Sequence, residues 1–326
     1  MRCNISGLLA AASCLILWLV TEGSGGQAAF SKKTYVFKTV DGIKVHADVY
    51  RSAGTRARPV LVWIHGGALI VGDRTGIPKN LLDLCKERDY VLVSIDYRLA
   101  PEVKLPAIIA DVKDALAWIR DKGPKLFHAD PERIVVAGGS AGGYLTMLTG
   151  ICVQPPPRAL VAYWGYGDVD GDWYTKPSAF YREKTPRVKK EDALKAVGGP
   201  VLTGASGTVG QARGNYYRYL RQNGLWTKEV TGFDPSDKAK LDPYCPVRNI
   251  TKNYPPVLMV HGTEDTDVPY ELSANMAKEL KAHQVPHQLI TVKGAGHGLS
   301  GGKIEHIAEA HTRAMAFIRK YLEETQ

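Results

Sequence analysis

The sequence predicts an α/β fold with one mostly parallel, eight-stranded sheet, helices on both of its faces, and a cap inserted after the sixth strand. Three observations carry this. Short runs rich in Val, Ile and Leu alternate with segments of helical periodicity, as buried strands joined by crossover helices do. In "IVVAGGSAGGYLTML" a serine among four glycines separates the strand-like Ile134–Val136 from the helix-like Tyr144–Leu148, which marks a sharp strand-to-helix corner. The alternation stops over about 165–250, where the chain is polar, glycine-rich and aromatic-rich, and then resumes. An insertion over a finished sheet would give that pattern.

Taken in order, the chain opens with a processing signal. Arg2 supplies a positive start, Leu8–Val20 is almost wholly apolar, and "TEGSGGQAA" offers small residues for cleavage near Ala28 or Ala29. Residues 1–29 are therefore expected to be a signal peptide. The run from Ile5 to Val20 is shorter than the about 20 residues a spanning helix needs, so no stable membrane insertion is expected after cleavage. Lipidation at Cys14 is disfavoured because Ala11 stands where a lipobox has leucine. The mature chain, 30–326, is expected to be exported, to a periplasm or to the extracellular space.

"TYVFKT" and "IKVHADVYR" flank Asp41-Gly42 and read as an antiparallel hairpin. Then follow a strand "PVLVWIHGG", a helix over 76–88, a strand "YVLVSIDYR", a helix over 107–122, a strand "RIVVAGG", a helix over 141–153 and a strand "RALVAYWG". Within the insertion only 189–198 and 213–222 carry helical pattern. Beyond it come "PPVLMVHG", a helix over 270–283, "HQLITVKG" and a last helix over 303–322.

With 326 residues, 44% hydrophobic and 23% charged, the chain is ordinary globular material able to bury one large core. It has no fixed-period repeat, and the formal net charge of +9 is diffuse. The densest basic cluster, "RVKK" at 187–190, reads as a solvated helix face, and without a recognition motif no nucleic-acid partner is expected. Beyond the signal three cysteines remain, Cys85, Cys152 and Cys245. They permit at most one disulfide and show no metal-ligand spacing.

The serine at the corner is Ser140. A serine hydroxyl needs a base within hydrogen-bond reach and donors for the oxyanion formed when it attacks a carbonyl. Gly138–Gly142 fits G-x-S-x-G, whose glycines allow a tight turn that exposes the hydroxyl. The same pattern recurs at Gly298–Gly302 without a strand directly before it, and reads as a flexible loop. Of nine histidines, His297 in "KGAGHGL" lies in a glycine-rich loop after the last strand and is the candidate base. The acid should orient the imidazole from a place between serine and histidine in chain order. In "HGTEDTDVPY" Asp265 is the candidate, and Asp267 is expected to cap the helix that begins near Pro269. "HGGAL" leaves the strand before it at Gly66 and Gly67, whose N–H groups, with that of Ala141, are the oxyanion-hole candidates. Ala68 is expected to line the substrate site. Asp96 and Arg98 in "DYRLAPE" are expected to pair and pin the loop that Pro101 stiffens.

Together "HGGAL", "DYRLAPE", "GGSAGG", "HGTEDTDVP" and "GAGHG" resemble the α/β-hydrolase superfamily. They are most similar to its esterase/lipase branch, related to hormone-sensitive lipase and to the BD-FAE-like feruloyl and acetyl esterases. The resemblance covers about residues 34–323. It implies an α/β-hydrolase fold and a triad of Ser140, Asp265 and His297. Two departures stand out. Ala68 replaces a third glycine, and the acid motif is closer to that of dienelactone hydrolases and prolyl-peptidase-like members.

The insertion holds many aromatics, among them Trp164, Tyr166, Trp173, Tyr174, Tyr216, Tyr217 and Trp226, which line a pocket or form the cap's own core. Trp164 and Tyr166 are the substrate-binding candidates. Asp168, Asp170 and Asp172 resemble the start of a calcium loop, but the ligand spacing fails beyond them. The mechanism requires neither metal nor cofactor. The expected activity is that of a secreted serine carboxylic-ester hydrolase acting on small or medium acyl esters, with acetyl or feruloyl esters of carbohydrate as candidate substrates. The alternatives are a prolyl-peptidase-like serine peptidase, against which the absence of a propeller-sized preceding domain weighs, and a non-enzymatic binding protein retaining the fold.

Overall fold

The computed structural model describes residues 30–324; the expected signal peptide lies outside them. Strands β1 (Ser31–Val40) and β2 (Ile43–Arg51) form the hairpin around Asp41-Gly42, and β3 (Arg58–Ile64), β4 (Val91–Ile95), β5 (Ala129–Gly139), β6 (Ala159–Tyr163), β7 (Val257–Gly262) and β8 (His287–Val292) follow. They form one eight-stranded sheet in the order β1-β2-β4-β3-β5-β6-β7-β8. β1/β2 and β2/β4 are antiparallel and every other pair is parallel.

The central strands are buried on both faces, so side-chain alternation divides the core in two. Val60, Val62 and Ile64 of β3 join one cluster, and Leu61 and Trp63 join the other. Helices α1 (Lys79–Arg88) and α11 (Ile304–Glu323) cover the second face, the latter through Ala310, Ala314, Phe317 and Ile318. Helices α2 (Leu105–Phe127), α3 (Ala141–Cys152) and α10 (Tyr270–Ala282) cover the first.

Among the helices that cover the sheet, two starts differ from the sequence reading by more than one residue. α1 begins at Lys79 rather than 76 because Pro78 is extended, with ψ 131°. α2 begins earlier, at Leu105, because Pro106 falls in the first turn, where its missing N–H has no helical partner to lose.

Between β6 and β7 run six short or medium helices: α4 (Asp172–Thr175), α5 (Ala179–Glu183), α6 (Lys190–Leu194), α7 (Gly207–Asn223), α8 (Trp226–Thr231) and α9 (Lys238–Leu241). Their buried residues Tyr174, Tyr216, Leu220, Trp226 and Leu241 belong to the same cluster as the first face of the sheet. The insertion therefore packs as a continuation of the main core. A buried ion pair also ties it down: Arg213 of α7 meets Glu102 at 2.8 Å, with side-chain exposures of 1% and 4%, and donates to the Ile70 and Ala100 carbonyls.

The three cysteines are free. Each acidic residue of "DVDGD" has its own protein donor: Asp168 accepts from Trp173, Asp170 from Lys238 and Arg248, and Asp172 from Lys176. No helix among the described residues is long and apolar enough to cross a membrane.

Candidate active site

The carboxyl ends of β3, β5, β7 and β8 bring the sequence candidates together. β5 ends at Gly139, and Ser140 takes φ 55° and ψ −121° before α3 begins. This is a sparsely populated conformation for a residue with a side chain; it costs about 1–3 kcal/mol and persists only where its surroundings enforce it. The enforcement is steric. A Cβ on Gly142 would lie 2.0 Å from the Ile64 carbonyl oxygen, so only glycine lets α3 pass so close to β3. A Cβ on Gly66 would lie 2.7 Å from the Gly139 oxygen and 3.2 Å from Ser140 Cβ. The "HGGAL" loop is thus pressed directly onto the serine turn.

His297 follows β8 and reaches back over the sheet edge, its Nε2 3.1 Å from Ser140 Oγ. Its Nδ1 donates to Asp265 Oδ2 at 2.8 Å. Asp265 follows β7 with a fully buried side chain, and its other oxygen accepts the N–H groups of Asp267 and Val268, both at 2.9 Å. Burial pulls this carboxyl's pKa up, but the hydrogen bonds from His261, His297 and Val268, with the charge on His297, outweigh it and hold it well below the usual carboxylate range. For His297 burial favours the neutral ring, yet the bond to Asp265 and the charges of Asp267 and Asp265 prevail over Arg221 and raise its pKa. The arrangement is able to move a proton from Ser140 to a histidine whose cation is stabilised.

The backbone N–H groups expected to hold an oxyanion sit beside the serine. Among the described residues, no acceptor takes the N–H groups of Gly67, Ala68 or Ala141. Ala68 also accepts Trp226 Nε1 at its carbonyl, 3.1 Å away, so α8 of the cap braces this loop. His65 is buried, which pushes its pKa down to about 4, and its neutral ring stacks on Tyr97 with centroids 4.3 Å apart. Its Nδ1 lies 2.8 Å from the Gly66 carbonyl and is therefore its protonated nitrogen.

Four sequence expectations need correction or division. Asp96 and Arg98 do not pair. The chain leaves the sheet after β4, and Asp96 meets Arg74 at 2.6 Å while Arg98 meets Asp111 at 2.8 Å. Asp267 does not cap α10, whose start has no side-chain cap. It accepts instead from Tyr181, Tyr217 and Arg221 of the cap. Tyr166 is fully buried, stacked on Tyr144 at 4.7 Å, and is a core residue of the cap junction rather than a wall of the site. Trp164 meets His297 edge-on, with ring centroids 6.4 Å apart; the apolar cavity of about 170 Å³ that it lines with Tyr163, Leu299 and His311 is lined by no triad residue.

His261 was missed altogether. Its Nε2 lies 3.2 Å from Asp265 Oδ2 and 2.9 Å from the Val268 carbonyl, two acceptors that require a proton on that nitrogen, and Ser273 Oγ faces Nδ1 at 2.7 Å. It donates to the same Asp265 oxygen as His297. The signal in the sequence was weak: a histidine closing a buried strand four residues before the acid.

The BD-FAE family model matches residues 47–156, and that of the prolyl oligopeptidase family matches residues 214–325. The first spans the "HGGAL" loop and the serine turn, the second the acid and the histidine. A crystal structure of a protein of unknown function from Staphylococcus aureus superposes with a TM-score of 0.71 at 22% identity, covering 90% of this chain and 99% of that one. The chain has the α/β-hydrolase fold. Esterase LipC of Mycobacterium tuberculosis is 28% identical over 267 residues, 77% of this chain and 56% of LipC. The non-reducing polyketide synthase Preu6 of Preussia isomera is 28% identical over 304 residues, 82% of this chain but 14% of the synthase. The chain thus spans only a small part of that synthase and little over half of LipC.

Proposed function

We propose that the protein is a serine carboxylic-ester hydrolase. The observation that carries this reading is the continuous path Asp265 Oδ2, His297 Nδ1, His297 Nε2, Ser140 Oγ, with steps of 2.8 and 3.1 Å, beside unused backbone N–H groups. Ser140 Oγ attacks the ester carbonyl carbon as His297 Nε2 takes its proton. The carbonyl oxygen becomes an oxyanion held by the N–H groups of Ala141 and of the Gly66–Ala68 turn. Collapse breaks the bond to the alcohol oxygen, which leaves with the proton from Nε2. A water, deprotonated by the same nitrogen, then attacks the acyl-serine, and the second collapse returns the proton to Ser140 and releases the acid.

Esters of short and medium acyl groups are the substrate class proposed, acetyl or feruloyl esters of carbohydrate among them. Export of the mature chain is part of the same proposal, resting on the composition of residues 1–29. Peptidase activity is the second reading, favoured by the prolyl oligopeptidase match over 214–325. Hydrolysis of 4-nitrophenyl esters from acetyl to dodecanoyl, beside proline-containing peptide 4-nitroanilides, tests both. Ester turnover lost in Ser140→Ala and highest for short chains is expected. Turnover of the anilides alone would favour the peptidase, and activity equal in the variant would refute the nucleophile.

A further inference from the structure

Asp267 stands next to the triad without being part of it, and its two carboxylate oxygens are treated differently. Oδ1 accepts three hydrogen bonds, from Tyr217 Oη at 2.6 Å, Arg221 Nη1 at 2.6 Å and Tyr181 Oη at 3.0 Å. All three donors come from the cap. Arg221 also donates to the Asp267 carbonyl at 3.0 Å, and its guanidinium lies 5.0 Å from the ring centres of Tyr174 and Tyr181. The carboxylate is therefore fixed in rotation, not merely neutralised. Oδ2 takes no hydrogen bond among the described residues and lies 3.7 Å from His297 Nε2. The side chain keeps 18% of its surface exposed, so a small molecule can reach it.

His297 Nε2 is the atom that hands its proton to the departing alcohol oxygen, which must come within roughly 3 Å of it to receive the proton. A hydroxyl on the neighbouring carbon of that alcohol lies about one hydrogen-bond length further on, within reach of Oδ2. A carboxylate there accepts from such a hydroxyl and repels an ether or other acceptor at the same place.

We propose that Asp267 Oδ2 forms a leaving-group subsite that selects esters whose alcohol part carries a hydroxyl adjacent to the ester oxygen, as partly acylated polyols and sugars do. The inference rests on the ester-hydrolase reading. Asp267 is a specificity-determining residue here, and Tyr181, Tyr217 and Arg221 are the positioning residues behind it.

The test compares kcat/KM for 2-hydroxyethyl acetate and 2-methoxyethyl acetate, which differ at the proposed donor. A hydrogen bond to a charged acceptor predicts a preference of about 10-fold or more for the hydroxyl ester in the wild type. In Asp267→Asn the amide oxygen must stay with Arg221, which has donors only, so the amide NH₂ replaces Oδ2. The preference is then expected to vanish or invert towards the methoxy ester. Tyr217→Phe loosens Oδ1 and should lower the ratio without abolishing it. Equal turnover of the two esters by the wild type, or an unchanged ratio in Asp267→Asn, overturns the subsite while the hydrolase reading stands. No turnover of these or of 4-nitrophenyl esters overturns the hydrolase reading itself.

Discussion

Replacing Asp265 by Asn removes one charge and almost no volume, and the structure dictates how the amide must sit. Oδ1 accepts the backbone N–H groups of Asp267 and Val268 at 2.9 Å, which only an oxygen can do, so the amide oxygen takes that place. The NH₂ then falls where Oδ2 meets His297 Nδ1 at 2.8 Å and His261 Nε2 at 3.2 Å. Donating to Nδ1, it fixes His297 as the tautomer protonated on Nε2, which has no lone pair left for the Ser140 proton. Holding the histidine of a Ser-His-Asp triad in the wrong tautomer by this substitution lowers turnover about 10⁴-fold, which corresponds to roughly 5 kcal/mol of barrier. A further cost arises at His261. Its Nε2 proton is needed by the Val268 carbonyl at 2.9 Å and now opposes another donor, so stability should fall by about 1–3 kcal/mol. Steady-state hydrolysis of 4-nitrophenyl acetate, with urea unfolding alongside, reads both. A folded Asp265→Asn protein that keeps more than about a tenth of wild-type turnover would refute this assignment of the acid.

The pH dependence follows from His297, which must be neutral to accept the serine proton. Its pKa is raised above the ordinary 6.5, so kcat/KM should decline as pH falls through a value above 6.5, and an acid limb centred below that would contradict the ion pairing described. The linked stability has the opposite sense: the histidine's contribution is full below its unfolded pKa and is lost as pH rises through the folded one. Glu102→Ala leaves Arg213 charged and unpaired where it is 1% exposed, and should cost about 3–5 kcal/mol in urea unfolding; the Glu102→Met, Arg213→Met double variant should recover much of that loss. Gly66→Ala puts a Cβ 2.7 Å from the Gly139 oxygen and should lower kcat about 100-fold by displacing the oxyanion donors, measured per active site by burst titration.

The sheet and the serine turn were legible because their determinants are local. Buried parallel strands must be continuous apolar runs, and the Gly138–Gly142 corner must carry glycine wherever a Cβ would meet β3, as at Gly142. His297 was legible for the same reason, since a glycine-rich loop after the last strand leaves it free to reach back. The pairings that failed are set by partners far away in sequence. Arg74 for Asp96, Asp111 for Arg98, and Arg221 with two tyrosines for Asp267 leave no spacing to read. The cap was legible only at 189–198 and 213–222, which overlap α6 and α7; its other short helices bury their aromatics against the main core and show no periodicity of their own. Tyr166 and Trp164 illustrate this. Two residues apart in sequence, one is sealed in the core and the other meets His297.

The central claim is that Ser140 becomes covalently acylated with His297 as its base. Intact-mass and peptide mass spectrometry after brief exposure to 4-nitrophenyl acetate at low pH, where deacylation is slow, tests it directly. One acetyl group on the peptide containing Ser140, absent in Ser140→Ala and formed far more slowly in His297→Ala, is the predicted result. An acetyl group on another residue, or the same labelling in the serine variant, would contradict it.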